Sequence, residues 1–375
     1  MTDPDDSYFI PSSYSRIVAR ELGLQERDLP RLLQGTGLSP DILQPGDETY
    51  LTGRQQLRVL DNAQRMLGAP DFGLRLGSRL NPSAHGPLGY LALSSPDLIT
   101  SLESLRDFLP ARLPLVRLDV VVDENWLQSS LTIRLDANPE ERRVLQECFA
   151  LVIQSFVETV LGRQVTEARI ELAHRRPAYY RLYRQYIHSA VRFAQPATVF
   201  RLPASLARVA SAAGDPDSYA LARDLCSKLL AQVPAASLST SDRVRRVLLA
   251  QTPGSVTESD VARAMFISKR TLARRLEAEG SSYRGIREQV LAQLAASHLR
   301  ESGLSVEAVS ALLGYNDAAA FRKAFRRWYG QAPSDFRSLS RGQGDNTRPP
   351  GEGRRDRRPD RQRKEKGLLS GQAAT

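Results

Sequence analysis

Two stretches near the C-terminus, starting at Val261 and Val306, are written to one plan. Each has a short apolar helix, a turn, a capping residue, and a second helix apolar on one side and basic on the other. In the first, Val261, Ala262 and Met265 form the leading stripe, Phe266-Ile267 the turn, and Ser268 the cap before Leu272 and Leu276. At about 100° per residue, Arg270 and Arg274 fall about 160–200° round from Leu272, with Thr271 at their flank. In the second, Val306, Val309, Leu312 and Leu313 follow Ser305. Gly314 supplies the turn, and Asp317 caps a helix whose core stripe is Phe321, Phe325 and Trp328. Its outward face is Ala319, Lys323, Arg326 and Arg327, flanked by Arg322.

Such faces fit the major groove, where Arg bonds the acceptor pair of guanine. The expected DNA-contacting set is Ser268, Lys269, Arg270, Thr271, Arg274 and Arg275 in the first head. In the second it is Asn316, Ala319, Arg322, Lys323, Arg326 and Arg327. Lys269 suits a phosphate, and Ala319 a thymine methyl. A helix from about Tyr283 to Ser302, with Ile286, Val290, Leu294 and His298 in register, joins the heads. It spans roughly 30 Å, close to one turn of B-DNA at about 34 Å.

The charge distribution agrees. The net charge of +10 divides into −1 over residues 1–240, +6 over 241–340 and +5 over 341–375. A near-neutral body thus precedes a polyanion-binding end. Residues 341–375 carry an Arg-rich run, from Arg354 to Lys366, with interspersed acids. Their composition predicts a disordered basic tail that at most adds non-specific DNA contact.

The body reads as α+β. Leu57, Leu60, Ala63, Gln64 and Leu67 follow a Thr52 cap, and Leu98, Leu102, Leu105 and Leu109 follow Ser95-Pro96. Alternation at Val116–Val122 and Leu127–Ile133 predicts a β-hairpin. Further expectations are a helix from Pro139 to Leu161, a strand near Val165–Leu172 and a Tyr-rich helix over Pro177–Tyr186. A strand near Ala197–Leu202 and a helix over Tyr219–Leu230 complete the body. The expected domains are 1–235, an α+β sensor; 236–340, an all-α pair of helix-turn-helix motifs; and 341–375, the tail.

Several classes are excluded. Cys148 and Cys226 form no Cys-x-x-Cys pair, and the four histidines show no ligand spacing, so no metal site and no cofactor is expected. The same lack of a cysteine cluster argues against a methyl-transferring repair enzyme, and no Walker loop or Gly-x-Ser-x-Gly elbow is present. No catalytic residue is therefore assigned. The N-terminus, with Asp3, Asp5 and Asp6, does not read as a signal peptide. No run reaches about 18 uninterrupted apolar residues, so no membrane partner and a cytoplasmic location are expected.

The run Gly314-Tyr315-Asn316-Asp317, Phe321, Phe325-Arg326-Arg327, Gly330, Pro333 and Phe336-Arg337 resembles the C-terminal signature of the AraC/XylS family of bacterial transcription regulators. The similarity covers roughly 240–338. It implies promoter binding by a double helix-turn-helix, most often in an activator working with RNA polymerase. Phe266 departs from the family, which usually has Gly in the first turn. His85-Gly86-Pro87-Leu88-Gly89-Tyr90, Ser94-Ser95-Pro96 and Tyr180 through Phe193 are similar to the arabinose-binding-like ligand domain found in a large subgroup. That likeness implies a sensor for a small-molecule effector. Polar and aromatic residues near the strand-rich centre are the candidate ligand contacts: His85, Tyr90, Arg117, Trp126, Tyr179 and Tyr183. A rival reading has the body serve only to form a homodimer. Calorimetry of the body against metabolites separates the two.

Overall fold

The computed structural model describes residues 8–47, 49–234, 238–250, 256–301 and 304–342. The tail expected to be disordered lies, from residue 343 onward, outside the described residues. Chain order begins with β1 (Phe9–Pro11), α1 (Ser13–Glu21), α2 (Leu29–Leu32), β2 (Tyr50–Thr52), α3 (Gly53–Leu67), α4 (Phe72–Arg79), α5 (Pro87–Ser94) and α6 (Leu98–Phe108). The hairpin β3 (Val116–Val122) and β4 (Trp126–Ile133) follows, then α7 (Pro139–Leu161), β5 (Arg169–Glu171), β6 (Ala190–Arg192), β7 (Thr198–Pro203) and α8 (Pro216–Gln232). The remainder is helical: α9 (Thr240–Ala250), α10 (Glu258–Ala264), α11 (Lys269–Ala278), α12 (Tyr283–Glu301), α13 (Val306–Leu312), α14 (Ala318–Tyr329) and α15 (Pro333–Gly342). An α+β portion followed by a helix-turn-helix portion is thus the architecture.

The larger sheet runs β3-β4-β7-β5-β6, antiparallel except where β6 pairs parallel to β5. Its alternation puts Leu118, Val120, Leu127, Phe200 and Leu202 into a core against α7. A second core joins α1, α3 and α4 to the opposite end of α7. Helix α7 starts at an Asn138–Glu141 capping box with Pro139 at the first position and ends at Gly162, with φ of 67°, which is why both its ends are readable in the sequence. It is long and apolar enough to cross a membrane by length and composition. Yet 67% of its most apolar window is buried inside the fold, so that apolarity is spent on both cores. Helix α4 lies close against it because Gly73 and Gly77 carry no side chain. A Cβ on Gly77 would stand 2.9 Å from the Cα of Cys148, and one on Gly73 would meet the Glu147 carboxylate.

Some expectations shift. Helix α6 begins at Leu98 and is capped by Asp97, whose carboxylate accepts from Thr100 N at 2.9 Å; Ser95-Pro96 stays outside because Asp97 takes the extended cap conformation. The Tyr-rich segment is a six-residue 3-10 helix, Tyr180–Gln185. The strand near Val165–Leu172 is only Arg169–Glu171. The sequence reading missed the two-stranded β1–β2 sheet and β6.

Candidate nucleic-acid interface

The local chemistry of each head produces its geometry. Ser268 accepts from Thr271 N at 3.1 Å, Ser305 from Ala308 N at 3.0 Å and Asp317 from Ala320 N at 2.6 Å, so each capped helix starts where an orphan donor is satisfied. Leu272 and Leu276 are fully buried under α11, and Phe321 and Phe325 under α14. The opposite faces stay exposed: Lys269, Arg270, Arg274 and Arg275 on α11, and Ala319, Arg322, Lys323, Arg326 and Arg327 on α14. Asn316 is exposed before α14, and Thr271 is half-buried. Arg270 and Arg274 make no hydrogen bond or ion pair among the described residues. Arg322 is paired with Glu307, and Arg327 with Glu288 of α12 at 2.9 Å. The structure therefore leaves α11 the freer of the two basic faces.

Helix α12 serves both heads. Ile286 and Val290 enter the core under α11, while Leu291, Ala295 and Leu299 enter the core under α14. The expected stripe of Ile286, Val290, Leu294 and His298 describes only one of these faces. A helix feeding two cores distributes its apolar residues around the axis, which hides the second face from a single-stripe search.

Phe266 occupies the turn between α10 and α11 with φ of 55° and is 95% exposed. Its counterpart in the second head, Gly314, has φ of 73°. A side-chain-bearing residue in this left-handed region costs about 1–2 kcal/mol. Glycine returns about 0.5–1 kcal/mol of that through its freer unfolded chain. Phe266→Gly should therefore stabilise the helical portion by about 0.5–1 kcal/mol. Thermal unfolding checks this, and a destabilised variant would mean the ring has a packing role.

The helical portion is clamped to the body by buried ion pairs. Arg300 of α12 donates to Asp97 at 2.6 Å and to Thr100 Oγ1 at 3.1 Å. Arg208 also reaches Asp97, at 3.2 Å, and its guanidinium lies 4.4 Å from the Tyr329 ring centre. Arg245 of α9 stands 2.9 Å from Asp107, which also accepts from Arg106 at 2.8 Å. Burial alone would raise the Asp107 carboxyl, but Arg106 and Arg245 outweigh it and hold the carboxyl below its ordinary range. Arg134 donates to Asp242 at 2.7 Å. Arg117 donates to the carbonyl oxygen of Glu279, just past α11, at 3.1 Å. The Glu279 carboxylate in turn accepts from Thr240 N and Ser241 N at 2.8 and 2.9 Å, capping α9.

Between the two body cores lies a cavity of about 130 Å³, walled by α1, α3, α4, α5, α6, β3, β4 and α7. His85 lines it and is 3% exposed; burial pushes its pKa down to about 4, so the ring is neutral near pH 7. The other expected ligand residues stand elsewhere. Tyr90 is 51% exposed on α5. Arg117 is at the clamp. Trp126 is half-buried at the end of the hairpin under the Arg169 guanidinium. Tyr179 and Tyr183 donate to Glu147 Oε1 at 2.6 and 2.5 Å. Residues the sequence reading passed over, Tyr14 and Gln56 among them, share the cavity with His85.

Glu147 is fully buried, and its Oε2 has no hydrogen-bond partner. Burial raises its pKa to about 7 against the two tyrosine hydrogen bonds. Above pH 4.5 the unfolded chain ionises this carboxyl while the fold keeps it protonated. Its contribution thus makes stability fall as pH rises from about 4.5 to 7, by about 3 kcal/mol in all. Buried neutral His85 acts in the opposite sense on acidification. The difference between the wild type and Glu147→Gln isolates the carboxyl: denaturant unfolding should show the variant gaining on the wild type across that window and levelling above it. A constant difference from pH 4.5 to 8 would refute the assignment.

Two family models match the chain in the same order as its two portions. A model of the N-terminal arabinose-binding domain of AraC transcription regulators matches residues 27–210, and a helix-turn-helix domain model matches 261–338. The ornithine utilization regulator of Pseudomonas aeruginosa is 30% identical over 277 residues, 74% of this chain and 81% of its own length. The HTH-type transcriptional regulator VirS of Mycobacterium tuberculosis is 24% identical over 306 residues, 80% of this chain and 88% of its own. Among solved structures, the transcriptional regulator CdpR from Pseudomonas aeruginosa aligns at 25% identity with a TM-score of 0.40, covering 83% of this chain and 97% of that one.

Proposed function

The chain belongs to the AraC family of DNA-binding transcription regulators, with an arabinose-binding-type domain ahead of a helix-turn-helix domain, and from that premise we propose that it switches promoter transcription in response to a small-molecule effector. It is a regulator rather than an enzyme. Helix α11 reads bases in one major groove through Arg270 and Arg274, with Thr271 beside them and Lys269, Arg275 and the Ser268 helix terminus on phosphates. Helix α14 enters the next groove with Ala319, Lys323 and Arg326, and uses Asn316, Arg322 and Arg327 nearer the backbone. The body, residues 1–235, receives the effector; residues 236–340 bind DNA; activation through RNA polymerase, in the cytoplasm, follows the family resemblance.

The observation that carries this reading is the pair of exposed basic helix faces held on one shared helix, α12. Duplexes selected from a random pool by the full chain, then footprinted, test it. The expected result is two protected patches about 10 base pairs apart on one face of the duplex. A single patch, or no enrichment of sequence, would overturn the two-groove reading. The rival in which the body only forms a homodimer requires DNA affinity to ignore every metabolite.

A further inference from the structure

The cavity in the body has a chemistry of its own, which narrows what can fill it. Apolar side chains make up nearly all of its wall. Three polar groups interrupt them, and two are already engaged with neighbours: Tyr14 Oη and His85 Nδ1 share a hydrogen bond of 3.0 Å, and His85 Nε2 lies 3.4 Å from the Leu80 carbonyl oxygen. Gln56 Oε1 accepts from Ser15 at 2.8 Å, while its Nε2 makes no hydrogen bond among the described residues. Among the described residues, no carboxylate lines the space. A polyol would bury hydroxyls without partners, and an amino acid would bury an ammonium without a counter-ion, and each is penalised. The volume, about 130 Å³, approaches the roughly 150 Å³ of a dry engineered cavity that accepts benzene.

We propose that this cavity is the effector site and that the effector is a small, predominantly apolar molecule, an aromatic ring or compact branched hydrocarbon with at most one hydrogen-bonding group. The proposal rests on the reading of the chain as a ligand-responsive regulator and specifies its ligand class. Gln56 Nε2 is the donor available to the single polar group.

Two walls of the cavity turn their other sides to the DNA-binding portion. On β3, Val116 and Leu118 line the cavity, and Arg117 between them, by strand alternation, holds the Glu279 carbonyl at the end of α11. On α6, Leu105 lines the cavity, while Asp97 and Thr100 hold Arg300 of α12 and Asp107 holds Arg245 of α9. A molecule that expands or stiffens the cavity therefore acts on the anchors of α9, α11 and α12 together.

The experiment uses the full chain, a duplex selected from a random pool, and four probes: toluene, phenol, L-arabinose and L-ornithine. Thermal unfolding reads binding, and fluorescence anisotropy reads duplex affinity. Toluene and phenol should raise Tm by a few degrees and change duplex affinity about fivefold or more. Val152→Phe, which fills the cavity from α7, should abolish both responses. Gln56→Leu, of similar size, should keep the toluene response and weaken phenol binding about fivefold. A response to arabinose or ornithine with none to toluene or phenol would overturn the apolar assignment and leave ligand sensing standing. Stabilisation by toluene with unchanged duplex affinity would overturn the cavity as effector site. Duplex affinity indifferent to all four probes, with no stabilisation, would overturn the cavity assignment, and indifference extending to a broad metabolite panel would take ligand sensing with it.

Discussion

Asp107→Ala will cost the chain about 3–5 kcal/mol of folding stability. The carboxylate is buried between Arg106 and Arg245, both also buried. Truncation leaves two guanidiniums out of water, with Glu103, 3.7 Å from Arg106, and Asp242, on the Arg245 side, offsetting them only in part. Deleting one member of a desolvated group costs far more than the group's net worth. The contrast is Asp61→Ala, where the partners Arg58 and Arg65 are solvated and the expected loss is under about 1 kcal/mol. Denaturant unfolding at neutral pH compares them. Similar losses for the two variants would show that water reaches the Asp107 cluster.

Arg270→Ala and Arg274→Ala should each weaken binding to the selected duplex by about 1–3 kcal/mol, roughly 5- to 150-fold, and relax base preference at one position. Both side chains are exposed on α11 and none of the described residues holds them. Arg322→Ala and Arg327→Ala should cost less, because Glu307 and Glu288 already neutralise part of their charge. Their effect should be spread evenly over sequences and show in the salt slope, which falls by about 0.9 for each phosphate no longer neutralised. Equal losses on random DNA for Arg270→Ala would instead mark it as a phosphate-binding residue.

What the sequence made legible was local. Ser268, Ser305 and Asp317 announce their helices because a cap is a short-range bond, and the hairpin declares itself through seven residues of alternation. Helix α7 was readable at both ends for the same reason. The β1–β2 pair was not, because Phe9–Pro11 and Tyr50–Thr52 are three residues each and about forty apart, so only tertiary packing brings them together. In the sequence, the candidate ligand residues are polar and aromatic groups near the strands. The cavity is instead built from Leu, Val, Ile and Phe of eight elements, each indistinguishable in sequence from ordinary core. Only His85 belongs to both sets. The clamp was equally hidden: Asp97 with Arg300, and Asp107 with Arg245, are far apart in the chain, and as isolated charges they read as surface.

Helix α12, plugged at one end into the core under α11 and at the other into the core under α14, works as a ruler without play. One base pair inserted between the half-sites would move the second by about 3.4 Å and rotate it by about 34° around the duplex axis. With both ends of α12 packed into a core, twisting or bending of the DNA is expected to absorb the mismatch. On the proposed two-groove reading, operators for this chain should be distinguished by helical phase as much as by base sequence.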